Sequence, residues 1–172
     1  MTIRMLPLCG LAALAGTILS PVPGRAQGAV DAGRFGDWSL NLAAGTDHKL
    51  CFAAAEPKEK EPAGANRAKA LFYISAWPNE GVKSEISVKL GYPIKPGSEI
   101  LVMVGKEAFK LFPKEERAYV ADPTEELKLI EAMKKGSTLV VEASSERGTV
   151  TKDTYSLSGL AQALQAIATH CP

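Results

Sequence analysis

Cys51 and Cys171 are the residues with the clearest chemistry in this sequence. The chain has three cysteines, and the third, Cys9, lies in an N-terminal segment that we expect to be removed. An even pair of cysteines in an oxidising compartment forms a disulfide. We therefore predict a structural bond between Cys51 and Cys171. Redox-active pairs are usually close in sequence, as in C-x-x-C, and these two are far apart.

A polar group near the C-terminus is the second candidate site. It consists of Arg147, Thr149, Thr151 and Asp153. Such residues commonly make hydrogen bonds in turns and at strand edges. We take that interpretation as the first expectation, and a polar surface group that contacts a partner as the alternative.

Catalytic and cofactor patterns are absent from the sequence. The only histidines are His48 and His170, whereas a zinc site needs three or four ligands in a recognisable spacing. There is no G-x-S-x-G motif, no G-x-G-x-x-G motif and no Walker motif. We therefore expect no catalytic residues, no cofactor-binding residues and no metal ligands. A pair of carboxylates that meet only in the fold, as in glycosidases, stays open.

The two tryptophans are a further candidate. Asp37-Trp38 and Trp77 could form a platform for a ligand. Tryptophan on an alternating strand is more often part of a hydrophobic core. We expect both indoles to be core residues.

The N-terminus predicts export. Arg4 precedes an apolar stretch from Met5 to Leu19, and Gly24-Arg25-Ala26 places small residues where a signal peptidase cuts. The stretch is shorter than the roughly 20 apolar residues of a membrane-spanning helix. We predict a signal peptide over 1–26, a flexible lead-in over 27–34 and one domain over 35–172. We therefore expect a periplasmic or secreted protein that has no membrane-spanning segment after cleavage.

The charge balance excludes one class of partner. Loss of Arg4 and Arg25 lowers the basic residues from 20 to 18, against 19 acidic ones. Nucleic-acid binding needs a clustered positive excess. We therefore expect no nucleic-acid partner.

Hydrophobic alternation dominates the rest of the chain and predicts strands. Period-two patterns or short apolar runs bounded by turn residues indicate strands at 35–42, 49–55, 70–77, 84–90, 99–104, 107–112, 117–121, 138–143 and 149–157. The charged segment 56–69 is expected to be a solvated loop. Helical spacing predicts two short helices, at about 122–135 and 158–170. The first begins with Asp122 as its cap and Pro123 at its first position, and its apolar stripe is expected to include Leu127 and Ile130. The fold class is mainly β: a single-domain β-sandwich whose C-terminal helix is tied by a disulfide.

Several segments, most of them near the C-terminus, match a known pattern. They are Phe35–Trp38, Leu90–Pro93, Ala132–Thr138, Arg147–Thr149, Asp153–Leu160, Ala163-Leu164 and Cys171. In these segments the chain resembles the invasion-associated locus B family. The resemblance implies a β-rich exported or envelope domain, linked in the founding member to host-cell invasion, and no catalytic residues. Many members carry another cysteine after the tryptophan, and Ser39–Leu42 has none here.

These observations favour a non-enzymatic envelope protein that acts by binding, in host-cell invasion or envelope stress. Its partner would be an envelope or host protein. One alternative is a periplasmic hydrolase of envelope polymers, which would need two facing carboxylates, one with a raised pKa. Another is a periplasmic accessory or chaperone-like subunit, which would show an exposed apolar patch or sheet edge.

Overall fold

The computed structural model describes residues 29–44 and 49–172. The predicted signal peptide over 1–26 and His48 lie outside these residues. Eleven strands and two helices form in the described part of the chain. They are β1 (Val30–Phe35), β2 (Trp38–Ala44), β3 (Lys49–Ala55), β4 (Glu59–Glu61), β5 (Leu71–Trp77), β6 (Val82–Lys89), β7 (Ile100–Val104), β8 (Glu107–Lys114), β9 (Arg117–Tyr119), α1 (Pro123–Lys135), β10 (Thr138–Ser144), β11 (Val150–Ser156) and α2 (Leu160–His170).

The strands form one continuous antiparallel sheet in the order β1-β2-β3-β5-β6-β9-β8-β7-β10-β11-β4. The β10–β11 part of the sheet packs against the β2–β5 part. Across this interface the ring centroids of Phe72 and Tyr155 lie 5.7 Å apart. The indole N–H of Trp38 also donates to the carbonyl of Ser156, at 3.1 Å. The predicted mainly β, sandwich-like fold with two helices is confirmed.

The chain start differs from the expectation. Residues 30–34, expected to be part of a lead-in, form most of β1 and pair with β2. The expected strand over 35–42 is divided by a turn at Gly36-Asp37. Gly36 has φ +55°, and a Cβ there would lie 2.5 Å from the carbonyl oxygen of Ser158. This close approach packs the β1–β2 turn against the start of α2.

Helix α1 begins as the sequence predicts, but it buries a different face. The carboxylate of Asp122 caps it by accepting from the backbone N–H groups of Thr124 and Glu125. Leu127, which we expected on the buried stripe, is 61% exposed. Its neighbour Glu126 is buried instead. The expectation about Leu127 was wrong because it assumed that an apolar side chain marks the core face.

Helix α2 closes the fold as predicted. Its buried residues are Leu160, Ala163 and Ile167. Cys171 follows the helix and is bonded to Cys51 of β3, with an S–S distance of 2.03 Å. The predicted disulfide is confirmed, and it joins the last helix to the inner side of the sheet.

Candidate functional site

The structure separates the four polar residues of the predicted surface group. Asp153 is fully buried and Thr151 is 2% exposed, whereas Arg147 and Thr149 are exposed. Thr151 and Asp153 alternate with outward-facing residues on β11, so their side chains point into the core. The four residues therefore do not form one surface site.

Asp153 binds Arg67 in the interior. Both guanidinium Nη atoms donate to the carboxylate, and Nη1 lies 2.8 Å from Oδ2. Nη1 also donates to the carbonyl of Leu90, at 3.2 Å. The Asp153 carboxylate raises the pKa of Arg67, although burial acts in the opposite direction. The expectation that 56–69 is only a solvated loop is corrected: β4 pairs with β11, and Arg67 enters the core.

Two tyrosines complete this interior cluster. The hydroxyls of Tyr92 and Thr151 are 2.5 Å apart, and burial raises the pKa of Tyr92. Tyr155 is also buried, which raises its pKa strongly, and its hydroxyl has no hydrogen-bond partner within the described residues. Apart from the Tyr155 hydroxyl, the polar groups of the cluster pair with one another in the core: Arg67 with Asp153, and Tyr92 with Thr151. We interpret the cluster as a brace between the 56–69 segment and β11.

A shallow depression of about 370 Å³ lies above the brace. Arg147 and Thr149 form part of its rim, and Arg67, Tyr92 and Thr151 reach its floor. The guanidinium of Arg67 is already neutralised by Asp153. Arg147 therefore supplies the exposed charge of the depression, whereas the charge of Arg67 is compensated by Asp153.

The outer side of the sheet carries a different kind of surface. On β5, Phe72, Ile74 and Ala76 point into the core, whereas Tyr73 and Trp77 point outward and are half-buried. Cross-strand pairing continues this outer row from Tyr73 through Ser87 to Tyr119 and on to Phe112. We call this surface the aromatic face, formed by Phe52, Tyr73, Trp77, Phe112 and Tyr119.

Four of the five rings of the aromatic face pair with one another. Phe52 and Tyr73 have centroids 5.8 Å apart, and Phe112 stacks on Tyr119 at 5.7 Å. The guanidinium of Arg117 lies 4.9 Å from the centre of the Tyr73 ring, within cation–π range. Phe112 remains 44% exposed. Rigid rings at the surface can bind a ligand with little loss of conformational entropy.

Three depressions join along this side of the sheet. Their volumes are about 570, 390 and 210 Å³. The first two share Phe52 and Tyr73, and the last two share Arg117 and Tyr119. The three are adjacent, and we call them together the outer trench.

The charges of the outer trench balance. Six acidic and six basic residues line it, and several of them pair with one another. Lys58 binds Asp37, and Lys69 binds Glu56 at 2.7 Å. These lysines lower the pKa of the Asp37 and Glu56 carboxyls. The trench therefore has no excess of either charge.

Neither a metal-binding cluster nor a membrane-spanning helix is present within residues 29–44 and 49–172. No group of three or more His, Cys, Asp or Glu side chains there is placed to hold a metal ion. No helix there is long and apolar enough to cross a membrane.

The sequence pattern did not identify the aromatic face. Trp38 is fully buried, as expected, but Trp77 is not a core residue. In ALFYISAW both sides of β5 are apolar, so alternation cannot tell the core side from the exposed side. The one available signal was the density of aromatic residues on neighbouring strands, which becomes visible only when the strand order is known.

Comparison with known proteins places the chain in a structural context. Residues 38–168 match the family described as Invasion associated locus B (IalB) protein. The crystal structure of invasion associated protein B from Bartonella henselae is similar, with a TM-score of 0.55 and 18% sequence identity. The match covers 80% of this chain and 95% of that chain, and at this identity it shows a shared fold alone. No curated protein sequence matches the chain.

Proposed function

The chain belongs to the invasion associated locus B (IalB) family, and from this premise we propose that it is an exported, non-enzymatic cell-envelope protein that acts by binding. The binding surface in this proposal is the aromatic face. The family description and the Bartonella henselae protein both carry the words invasion associated. We extend the proposal to contact with host cells, with a role in envelope stress as the alternative setting.

The observation that supports binding is the concentration of aromatic side chains and Arg117 on one solvent-facing side of the sheet. Tyrosine, tryptophan and arginine are the residues that most often supply binding energy in interfaces. Trp77 is half-buried and pairs with no other ring among the described residues. Exposed aromatic patches mark interaction sites more often than they serve stability.

A periplasmic accessory or chaperone-like subunit is the second candidate. It is favoured by the same observation, because an exposed apolar surface is what such a subunit needs. The two candidates differ in selectivity: a dedicated binder captures one partner, and a chaperone-like subunit captures many unfolded chains.

A hydrolase is disfavoured by two carboxylates of the outer trench, Asp37 and Glu56. A general acid needs a raised pKa. Lys58 and Lys69 instead lower the pKa of Asp37 and Glu56. Neither carboxyl is therefore suited to donate a proton at neutral pH.

Crosslinking of the tagged mature protein in whole envelope, followed by pull-down, tests the proposal. We expect defined partners with the wild type and their loss with the double variant Trp77→Ala/Tyr119→Ala. The matched control is Leu127→Ala/Val150→Ala, which removes two exposed apolar side chains, 61% and 54% exposed, outside the aromatic face. Equal capture by all three proteins would refute binding through this face. Turnover of a substrate that a point mutation abolishes would refute the non-enzymatic role.

A further inference from the structure

We propose that the outer trench binds an uncharged polysaccharide chain. This inference rests on the proposed function, because it names the chemical class of the ligand for the same aromatic face. Its support comes from the rings, from the polar groups between them, from the charge balance and from the length of the trench.

The rings suit the faces of sugar units. A pyranose ring presents apolar C–H groups on its two faces, and an aromatic π-face is electron-rich, so the two stack. Trp77 has no ring partner among the described residues, and one face of Tyr73 is covered by Arg117. Tyr73 lines both of the larger depressions. Tyr73 therefore lies where these two depressions meet. Trp77 and Tyr119 line the depression that extends from β3 to β9.

Polar groups lie within the same trench. Ser39 and Asn41 line its β2 end, and Ser75 and Ser87 lie beside the rings on β5 and β6. The hydroxyls of Tyr73 and Tyr119 form no hydrogen bond to other described residues. A ligand that stacks on the rings and also offers hydroxyls to these groups matches this alternation. Ser39 already donates to the carbonyl of Ala54, and Asn41 donates to Ser39. A purely apolar ligand would cover the remaining polar groups, the serines of β5 and β6 and the tyrosine hydroxyls, without pairing with them, which costs free energy.

The charge balance selects among polymers. An anionic polymer such as a nucleic acid or an acidic glycan needs a cationic channel. Here the six basic residues are matched by six acidic ones, and two of the lysines are held in ion pairs. Neither an anionic nor a cationic polymer gains net attraction. An uncharged chain has no such requirement.

The length of the trench indicates a polymer rather than a single small molecule. Its lining runs from β1, with Asp31 and Arg34, to β9, with Arg117 and Tyr119. In the sheet order this distance is five strand spacings, about 24 Å at about 4.8 Å each. Small-molecule sites are compact and enclosed, whereas this channel is elongated and open at the surface.

Tryptophan fluorescence provides the experiment. The mature chain has two tryptophans, and Trp38 is fully buried, so a ligand on the surface changes the emission of Trp77. The probes are neutral five-unit oligomers of β-1,4-glucose, α-1,4-glucose and β-1,4-N-acetylglucosamine, with heparin and polygalacturonate as charged comparators. We expect saturable binding of at least one neutral oligomer that does not depend on salt, because no charges are screened.

Tyr119→Ala should weaken this binding about tenfold or more, as loss of a central aromatic contact does. Tyr73→Ala is the second variant, and Leu127→Ala is the matched control with unchanged affinity. Urea unfolding of each variant shows that the fold is retained. If no neutral oligomer binds, or only the charged ones bind with a strong salt dependence, the polysaccharide inference is wrong. If crosslinking still captures a protein through the aromatic face, the proposed function stands without it; if both assays are negative, both proposals are wrong.

Discussion

Arg67 and Asp153 are 86 residues apart in sequence and form a doubly hydrogen-bonded ion pair in the core. Their side chains are 6% and 0% exposed. The pair fastens the segment between β4 and β5 to the closing strand β11. Because both charges have lost their water, each depends on the other for compensation.

Substitution Arg67→Met should therefore destabilise the protein strongly. It leaves the Asp153 carboxylate buried without its partner, which costs about 3–5 kcal/mol. The double variant Arg67→Met/Asp153→Leu should recover much of the loss, because it removes both charges. Urea unfolding followed by the fluorescence of Trp38 measures the difference. Arg147→Met, on the rim of the neighbouring depression, is the control and should change the free energy of unfolding by less than about 0.5 kcal/mol. A loss below about 1 kcal/mol for Arg67→Met would show that the pair is dispensable.

Removal of the disulfide should also weaken the fold. Cys51 and Cys171 enclose a separation of 120 residues, and loss of such a native bond costs about 2–5 kcal/mol. The variant Cys51→Ala/Cys171→Ala and the chemically reduced wild type should give similar urea midpoints. Peptide mapping of the unreduced protein should show the Cys51–Cys171 linkage. An unchanged midpoint after verified reduction would mean that packing of α2 alone closes the domain.

Glu126 should be a stability residue although it is acidic and lies on a helix. Its carboxylate accepts from the hydroxyl of Ser84 and from the backbone N–H of Ile86, both at 2.8 Å. Glu126→Ala leaves that buried N–H unpaired, at a cost of about 1–3 kcal/mol. The exchange rate of the Ile86 amide hydrogen should rise. Glu126→Gln should cost less because its amide oxygen can still accept, and Leu127→Ala on the same helix should have little effect. Equal losses of unfolding free energy for the three variants would contradict this role of Glu126.

Stability should fall in alkali because of Tyr92 and Tyr155. Burial raises the pKa of both phenols above their ordinary value of 10.0. The native state therefore holds their protons more tightly than the unfolded chain. The contribution is complete below pH 10.0 and is lost as the pH rises above it. The urea midpoint should decline as the pH rises above 10.0, and the decline should be shallower in Tyr92→Phe/Tyr155→Phe. An equally steep decline of the urea midpoint in that variant would show that titratable groups other than these two phenols cause the alkaline loss of stability.

Tyr155→Phe alone should be nearly neutral at pH 7. The Tyr155 hydroxyl has no hydrogen-bond partner in the described part of the chain, so its removal breaks no bond and relieves an unpaired polar group. Tyr92→Phe removes the contact with Thr151, whose hydroxyl also lies 3.4 Å from the carbonyl of Ala143. Urea unfolding at pH 7 compares the two variants. A larger loss of unfolding free energy for Tyr155→Phe than for Tyr92→Phe would show that the Tyr155 hydroxyl has a partner.

The elements with local signals could be predicted from the sequence. Helix α1 was predictable because Asp122 and Pro123 mark its start, and α2 because its apolar residues recur at helical spacing. The disulfide followed from the number of cysteines and the inferred compartment. In these cases the deciding interactions lie within a few residues, or only one partner exists.

The remaining features depend on contacts between distant segments. Arg67 belongs to a charged, proline-containing stretch, and only the position of Asp153 on β11 makes it a core residue. Trp77 belongs to a strand that is apolar on both sides, and only the strand order shows that its side of the sheet lies outside. A period-two pattern defines two faces but does not say which one the core will cover.

The two ends of the sheet affect the behaviour of the protein in solution. One end is β4, with the residues Glu59-Lys60-Glu61 followed by Pro62, and the other is β1, where the register shifts between Asp31 and Gly33. Charges, proline and irregular pairing all hinder the addition of a further strand. Both edges of the sheet therefore resist pairing with a strand of another molecule, although the sheet is large and several half-buried rings lie on its outer side.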